Sequence, residues 1–218
     1  MESKKKSAQK LQEPLVYVVD DNEGVIESTR WLIESVGYHV KCFKGAKQFL
    51  DEYNPEVPGC LVLDVRMPEV SGLELQETLV KKGNLIPIIF ITAHGDVAVA
   101  VRAMKKGAMD FLTKPTNGQV LLEAINKAVR QDLQRRQSEE KSSEIMERMN
   151  SLSPREKEVM QLVVGGRLTK TIADRLGVSM RTVEMHRSNI MKKMKVNSQA
   201  ELAWLVLRNG LLPAEEEV

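Results

Sequence analysis

The stretch Cys60-Leu61-Val62-Leu63-Asp64 is an apolar run closed by an acid, and an earlier run, Leu15-Val16-Tyr17-Val18-Val19, ends likewise in Asp20-Asp21. Consecutive apolar residues without polar alternation fit strands buried on both faces, as in a parallel sheet covered by helices. A run over 86–91 leads to Thr92, and a run over 109–112 leads through Thr113 to Lys114-Pro115. If each run is a parallel strand, the acids, the hydroxyl and the lysine converge at the carboxyl edge of one sheet, where open α/β folds bind ligands. Three carboxylates and one ammonium in one pocket are the groups a magnesium-dependent phosphoryl acceptor needs.

Any one of these residues has a plainer explanation, since acids after strands turn the chain into solvent or cap the next helix. A turn, however, needs neither two adjacent acids, a third acid after the next apolar strand, nor a threonine after a fourth. The wider pattern agrees with the joint reading. Strands are expected at 15–19, 39–43, 60–63, 86–91 and 109–112, and apolar positions at helical spacing mark 24–36, 46–53, 71–82, 97–106 and 118 onward. Five βα units make a doubly wound α/β domain.

Residues 14–128 resemble the receiver domain of bacterial two-component response regulators. The matching stretches are Val18-Val19-Asp20-Asp21-Asn22, Leu61-Val62-Leu63-Asp64-Val65-Arg66-Met67-Pro68, Ser71-Gly72-Leu73-Glu74-Leu75, Phe90-Ile91-Thr92-Ala93-His94-Gly95-Asp96 and Gly107-Ala108-Met109-Asp110-Phe111-Leu112-Thr113-Lys114-Pro115. The resemblance implies a flavodoxin-like sheet of order 2-1-3-4-5. It also implies that Asp64 is the phosphoacceptor, and that Mg²⁺ is held by Asp21, Asp64 and the Arg66 carbonyl, with Asp20 acting mostly through water. Lys114 and Thr92 then contact the phosphoryl oxygens, and Ala93 leaves room for the donor. A cis bond before Pro115 is implied too, although Pro115 equally suits the first turn of a helix. Thr92 and Phe111 form the implied switch pair; from the sequence alone, a Phe on an apolar strand is explained by packing.

A different grammar begins near residue 150. Ser153-Pro154-Arg155-Glu156 reads as a capping box with proline at the first helical position, opening a helix that runs to Gly165-Gly166. Thr169 is expected to cap a helix over 170–176 that Gly177 ends, Ser179 to cap a third helix through about residue 194, and a last helix to cover 198–208. Two helices joined by a brief turn at Gly177-Val178-Ser179 make a helix-turn-helix. Leu152-Ser153-Pro154-Arg155-Glu156, Thr171-Ile172-Ala173-Asp174-Arg175-Leu176-Gly177-Val178-Ser179, Arg181-Thr182-Val183-Glu184-Met185-His186-Arg187 and Ile190-Met191-Lys192-Lys193-Met194 resemble the four-helix DNA-binding domain of the LuxR, NarL and FixJ class.

Charge divides along the same line. Residues 151–212 hold eleven Lys and Arg against five Asp and Glu, net +6, whereas 14–126 hold eleven against fifteen, net −4. A basic half suits a phosphate backbone, and an acidic half suits cation chemistry. On the third output helix Val183, His186, Ile190 and Met194 recur at core spacing. Arg181, Glu184, Met185 and Ser188 occupy another face near the end that enters the major groove, and are the candidate base readers. Arg187, Lys192, Lys193 and Lys170, with the helix cap Ser179 and with Thr182, are expected at DNA, chiefly at phosphates. Each such residue alone is equally an ordinary solvated position.

Residues 129–150 read as a polar helical linker that breaks near Ser142-Ser143 and resumes through Ile145 and Met149; residues 1–13 and 213–218 read as charged tails. The chain of 218 residues suits two ordinary domains. No apolar run is long enough to span a bilayer. Cys42 and Cys60 lack a pairing motif, which points to a reduced, cytoplasmic setting.

The whole reads as a transcriptional regulator, most like the FixJ subfamily through His94-Gly95-Asp96 and the output domain. Expected partners are a sensor histidine kinase, promoter DNA, RNA polymerase and a second copy of the chain. That copy would pair through a face on the receiver's fourth helix, where Val97, Val101, Met104 and Lys105 fall at helical spacing, although core packing and solvation explain the same spacing. One alternative is a DNA-binding regulator independent of phosphorylation. Another is an aspartate-nucleophile phosphatase, which expects an acid two residues after Asp64, where Arg66 stands.

Overall fold

The computed structural model describes residues 13–93 and 96–211, in two compact units that divide after Gln137. His94-Gly95 and the expected tails, apart from Glu13, lie outside these residues. The first unit holds β1 (Leu15–Val19), α1 (Glu23–Glu34), β2 (His39–Phe43), α2 (Ala46–Glu52), β3 (Gly59–Asp64), α3 (Gly72–Lys81), β4 (Ile88–Thr92), α4 (Val97–Lys105), β5 (Asp110–Thr113) and the first part of α5 (Gly118–Asn150). The strands form one parallel sheet in the order β2-β1-β3-β4-β5.

The unalternated apolar strands follow from burial on both faces. Tyr17, Val19, Leu61, Leu63 and Phe90 point to the side packed by Phe43, Phe49, Leu75 and Leu79, while Val16, Val18, Cys60, Val62, Ile89 and Ile91 point to the side packed by Ile33, Leu121 and Ile125. Each large side chain buried this way contributes about 1.5–3 kcal/mol of transfer free energy. The fourth strand begins at Ile88 rather than 86 because Pro87 has no N–H to give the ladder; its carbonyl accepts from the Leu61 amide at 2.9 Å.

The second unit packs α6 (Pro154–Val164), α7 (Thr169–Leu176), α8 (Met180–Met194) and α9 (Gln199–Arg208) around Val159, Met160, Ile172, Val183, Ile190, Met194, Leu202 and Val206. Ser153 and Glu156 form the expected capping box. Ser179 caps α8 at the Thr182 amide, and Gly177 ends α7 in the left-handed region at φ 66°. Thr169 does not cap: it is the first residue of α7, the cap position belongs to Leu168, and the Thr169 hydroxyl meets Arg187 instead.

The break expected at Ser142-Ser143 is absent, since α5 is continuous across both serines. No glycine or proline falls between 119 and 150, serine costs a helix interior only about 0.5 kcal/mol, and the Glu144–Arg148 pair at 3.0 Å, four residues apart, supports the later turns.

Candidate functional site

Strand register places the acids. Val19 lies between Phe43 and Leu63, so the chain leaves β1 at Asp20 beside the end of β3, and Asp64 pairs in register with Ile91 just before Thr92. Thr92 in turn pairs with Thr113, which puts Lys114 at the same edge. Asp20, Asp64 and Thr92 are buried, at 4%, 6% and 1% exposure. The Lys114 Nζ donates to Asp20 Oδ2 at 2.6 Å and to Asp64 Oδ1 at 2.9 Å. The Asn22 amide donates to Asp20 Oδ1 at 2.9 Å, and the Arg66 amide to Asp64 Oδ2 at 2.6 Å. The bond before Pro115 is cis, and the Lys114 amide donates to the Thr92 carbonyl at 2.8 Å.

Gly72 lets α3 approach this edge. A Cβ there would stand 2.1 Å from the Asp64 carbonyl oxygen, and the Gly72 amide donates to the Val65 carbonyl at 3.0 Å. Asp21 and Arg66 are exposed, as is Ala93. Among the described residues no three His, Cys, Asp or Glu side chains are gathered as a metal cage. The ammonium of Lys114 thus brings two of the three expected carboxylates together, Asp20 and Asp64.

Burial pushes the Asp64 carboxyl above its ordinary value; the Lys114 ammonium and the Arg66 amide pull the other way, and Asp20 adds to the rise. Burial also disfavours the Lys114 ammonium, but its hydrogen bonds and attraction to Asp20 and Asp64 outweigh that, so its pKa is raised. The pocket therefore favours a cation and holds Asp64 poorly solvated.

On the neighbouring elements, Phe111 is half-buried with its ring centroid 6.1 Å from that of Phe90. The last turn of α4 is tied to α3, because Gln76 Nε2 donates to the Ala103 carbonyl at 3.1 Å and Arg102 Nη2 donates to Glu77 at 2.9 Å. The other side of α4 is open: Val97, Val101 and Met104 are 77%, 45% and 45% exposed, with Lys105 exposed beside them. At about 100° per residue these four fall on one stripe.

In the second unit Arg181, Glu184, Met185, Ser188 and Lys192 are exposed on α8, as are Lys170 on α7 and the cap Ser179. Thr182 is half-buried, its hydroxyl 2.8 Å from that of Ser179. Two of the expected phosphate contacts have other employment. Arg187 Nη1 donates to Thr169 Oγ1 at 3.1 Å and Nη2 to Gln199 Oε1 at 2.7 Å. Lys193 Nζ donates to Glu156 Oε2 at 2.6 Å and to the Ser151 carbonyl at 3.1 Å. The sequence signal for this placement is spacing, since Arg187 follows Val183 by four residues and precedes Ile190 by three. His186 is half-buried, and its Nδ1 is enclosed without a hydrogen-bond partner.

A sheet edge with two buried carboxylates bridged by a lysine, on a chain that ends in a capped helix-turn-helix, has matches among known proteins. The model for the response regulator receiver domain matches residues 16–126, and that for bacterial regulatory proteins of the luxR family matches 150–206. Response regulator protein TmoT of Ectopseudomonas mendocina is 47% identical over 191 residues, 88% of this chain and 87% of that protein. Transcriptional regulatory protein FixJ of Azorhizobium caulinodans is 43% identical over 92% of this chain and 95% of its own length. Among solved structures, response regulator StyR superposes with a TM-score of 0.86 at 47% identity, covering 90% of this chain and 99% of that one. Full-length FixJ from B. japonicum gives 0.56 at 40%, covering 93% and 100%. The chain belongs to the response regulators, with a receiver domain followed by a LuxR-type DNA-binding domain.

Proposed function

We propose that Asp64 accepts a phosphoryl group from a donor histidine of a sensor kinase, and that this modification controls DNA binding by α8. The observation that carries the reading is the Lys114 ammonium held between two buried carboxylates, Asp20 and Asp64. An Asp64 oxygen attacks the phosphorus, the bond from phosphorus to the donor nitrogen breaks, and an aspartyl phosphate forms. Lys114, already charged and aimed at Asp64, transfers its hydrogen bond to a phosphoryl oxygen, and Thr92 lies one register position away. Arg66 stands where a leaving-group acid would be needed, so the pocket is suited to accepting a phosphoryl group rather than to acting as a phosphatase on other molecules.

Receiver domains generally bind Mg²⁺ at the phosphorylation site. The donor set here fits that ion, being all oxygen and carrying one or two carboxylates rather than a closed cage, which leaves room for waters and phosphate oxygens. Asp21, Asp64 and the Arg66 carbonyl would hold it directly, with Asp20 through water. When bound, Mg²⁺ supplies charge neutralisation between the anionic reactants.

The DNA-reading face is the exposed set Arg181, Glu184, Met185 and Ser188, with Lys170, Lys192 and the capped start of α8 at Ser179 and Thr182 toward phosphates. One helix-turn-helix covers one half-site. Pairing two copies through Val97, Val101, Met104 and Lys105, after Thr92 and Phe111 rearrange about the phosphoryl group, raises affinity through effective concentration. Bound at a promoter from the cytoplasm, the dimer would recruit RNA polymerase and activate transcription. No helix among the described residues is long and apolar enough to cross a membrane.

Incubation of the full chain with Mg²⁺ and a small phosphodonor should give stoichiometric, hydroxylamine-sensitive labelling that Asp64→Asn abolishes. Equal labelling of Asp64→Asn would remove the proposed acceptor.

A further inference from the structure

We infer that Arg187 is a positioning residue, which sets the orientation of α8 through the amino ends of α7 and α9 and carries no phosphate contact. The inference rests on the reading of α8 as the DNA-facing helix. Counting about 100° per residue from Val183, Arg187 falls near 40°, Ile190 near 340° and Met194 near 20°, so the guanidinium grows from the edge of the packed stripe. The exposed residues Glu184, Ser188, Arg181, Lys192 and Met185 fall between about 100° and 200° on the same wheel. Burial agrees, for Val183, Ile190 and Met194 are buried and the five others exposed.

From that stripe the two arms of the guanidinium diverge. Nη1 donates to Thr169 Oγ1 at 3.1 Å, in the first turn of α7, and Nη2 donates to Gln199 Oε1 at 2.7 Å, in the first turn of α9. Gln199 passes the link on, since its Nε2 donates to the Val163 carbonyl near the end of α6 at 2.7 Å. One planar fork thereby joins α8 to the three other helices of the bundle. A cavity of about 170 Å³ adjoins the fork, lined by Val163, Ile190, Met191 and Leu202 beside Arg187 and Gln199. Lysine gathers its three donors on one nitrogen at the end of a flexible stem and lacks the rigid planar fork that sends separate nitrogens to two helices.

The two roles separate in experiment. Binding of the full chain, treated with phosphodonor and Mg²⁺, is titrated on specific and scrambled duplexes over a range of salt for wild type, Arg187→Lys, Arg187→Gln and Lys192→Gln. Both Arg187 variants are expected to lose about tenfold in affinity for the specific duplex, the size of one charged hydrogen-bond geometry, with the slope of log K against log salt unchanged. Lys192→Gln, by contrast, should flatten that slope by about 0.9, one phosphate's counterion release. Retention of affinity in Arg187→Lys, or a slope flattened by Arg187→Gln, would overturn the inference. A urea-unfolding cycle on the same full chain, pairing Arg187→Gln with Gln199→Ala, reads the link without DNA. Non-additive losses are expected, and additive ones would also overturn it. Should wild type show no salt-dependent binding while the cycle stays non-additive, the DNA reading fails and the link stands.

Discussion

Asp132→Ala tests whether a buried charge in α5 belongs to the receiver fold. The Asp132 side chain is fully buried and accepts from the Gly59 amide at 3.0 Å, Arg135 Nη2 at 2.5 Å and Arg136 Nε at 2.7 Å. Arg136 also donates to the carbonyls of Pro55, Glu56 and Val57. The carboxylate therefore fastens α5 to the start of β3. Breaking a buried pair by removing one partner costs about 3–5 kcal/mol. The arginines are 28% and 24% exposed and regain some water, which puts the loss at the low end, about 3 kcal/mol. Against a domain stability of about 5–15 kcal/mol this is large, and it lowers Tm by on the order of 15 °C for a domain of this size. Thermal and urea unfolding of residues 1–137 measures it. Asp132→Asn, which keeps an acceptor for Gly59, should fall between the two, and a fragment ending at 128 should be destabilised like Asp132→Ala. A loss below about 1 kcal/mol, the value of an exposed ion pair, would refute the reasoning.

Gly72→Ala should slow phosphoryl acceptance and destabilise the receiver by about 1–3 kcal/mol, because its Cβ would press on the Asp64 carbonyl; wild-type labelling rates and unfolding would count against that packing. For Glu156, the hydrogen bond from Lys193 and the Ser153 amide hold the carboxyl below its ordinary value. Its stabilisation is therefore present above the ordinary glutamate range and lost as pH falls through the lowered value. Glu156→Gln should consequently show a deficit of about 1 kcal/mol at neutral pH that closes in acid, as read by urea midpoints across pH. Arg181→Ala should cost about 1–3 kcal/mol of discrimination if the guanidinium contacts a base; an equal loss on specific and scrambled duplexes would move it to the phosphates.

Much of the receiver was legible because each apolar strand delivers its last residue to the same sheet edge, so Asp64, Thr92 and Lys114 could be placed from runs and their ends alone. The order of the strands came through resemblance, and the register that sets Lys114 between Asp20 and Asp64 is a tertiary fact. Asp132 was invisible, since an acid among arginines in a polar helix reads as solvated until the loop at Gly59 is folded against it. Arg187 shows the opposite case: its charge suggests a phosphate contact, and its bonds to Thr169 and Gln199 appear only once α7 and α9 are folded against α8. Thr169 reads as a cap by residue type, yet the hydroxyl serves another helix.

Coupling between the two domains is read from DNA affinity. Affinity of the full chain for a specific duplex is measured before and after treatment with phosphodonor and Mg²⁺, for wild type and Asp64→Asn. Control by phosphorylation predicts a rise in affinity for wild type that tracks labelling of Asp64 and is absent in Asp64→Asn. Equal affinity before and after full labelling of wild type would contradict it, leaving DNA binding independent of phosphorylation.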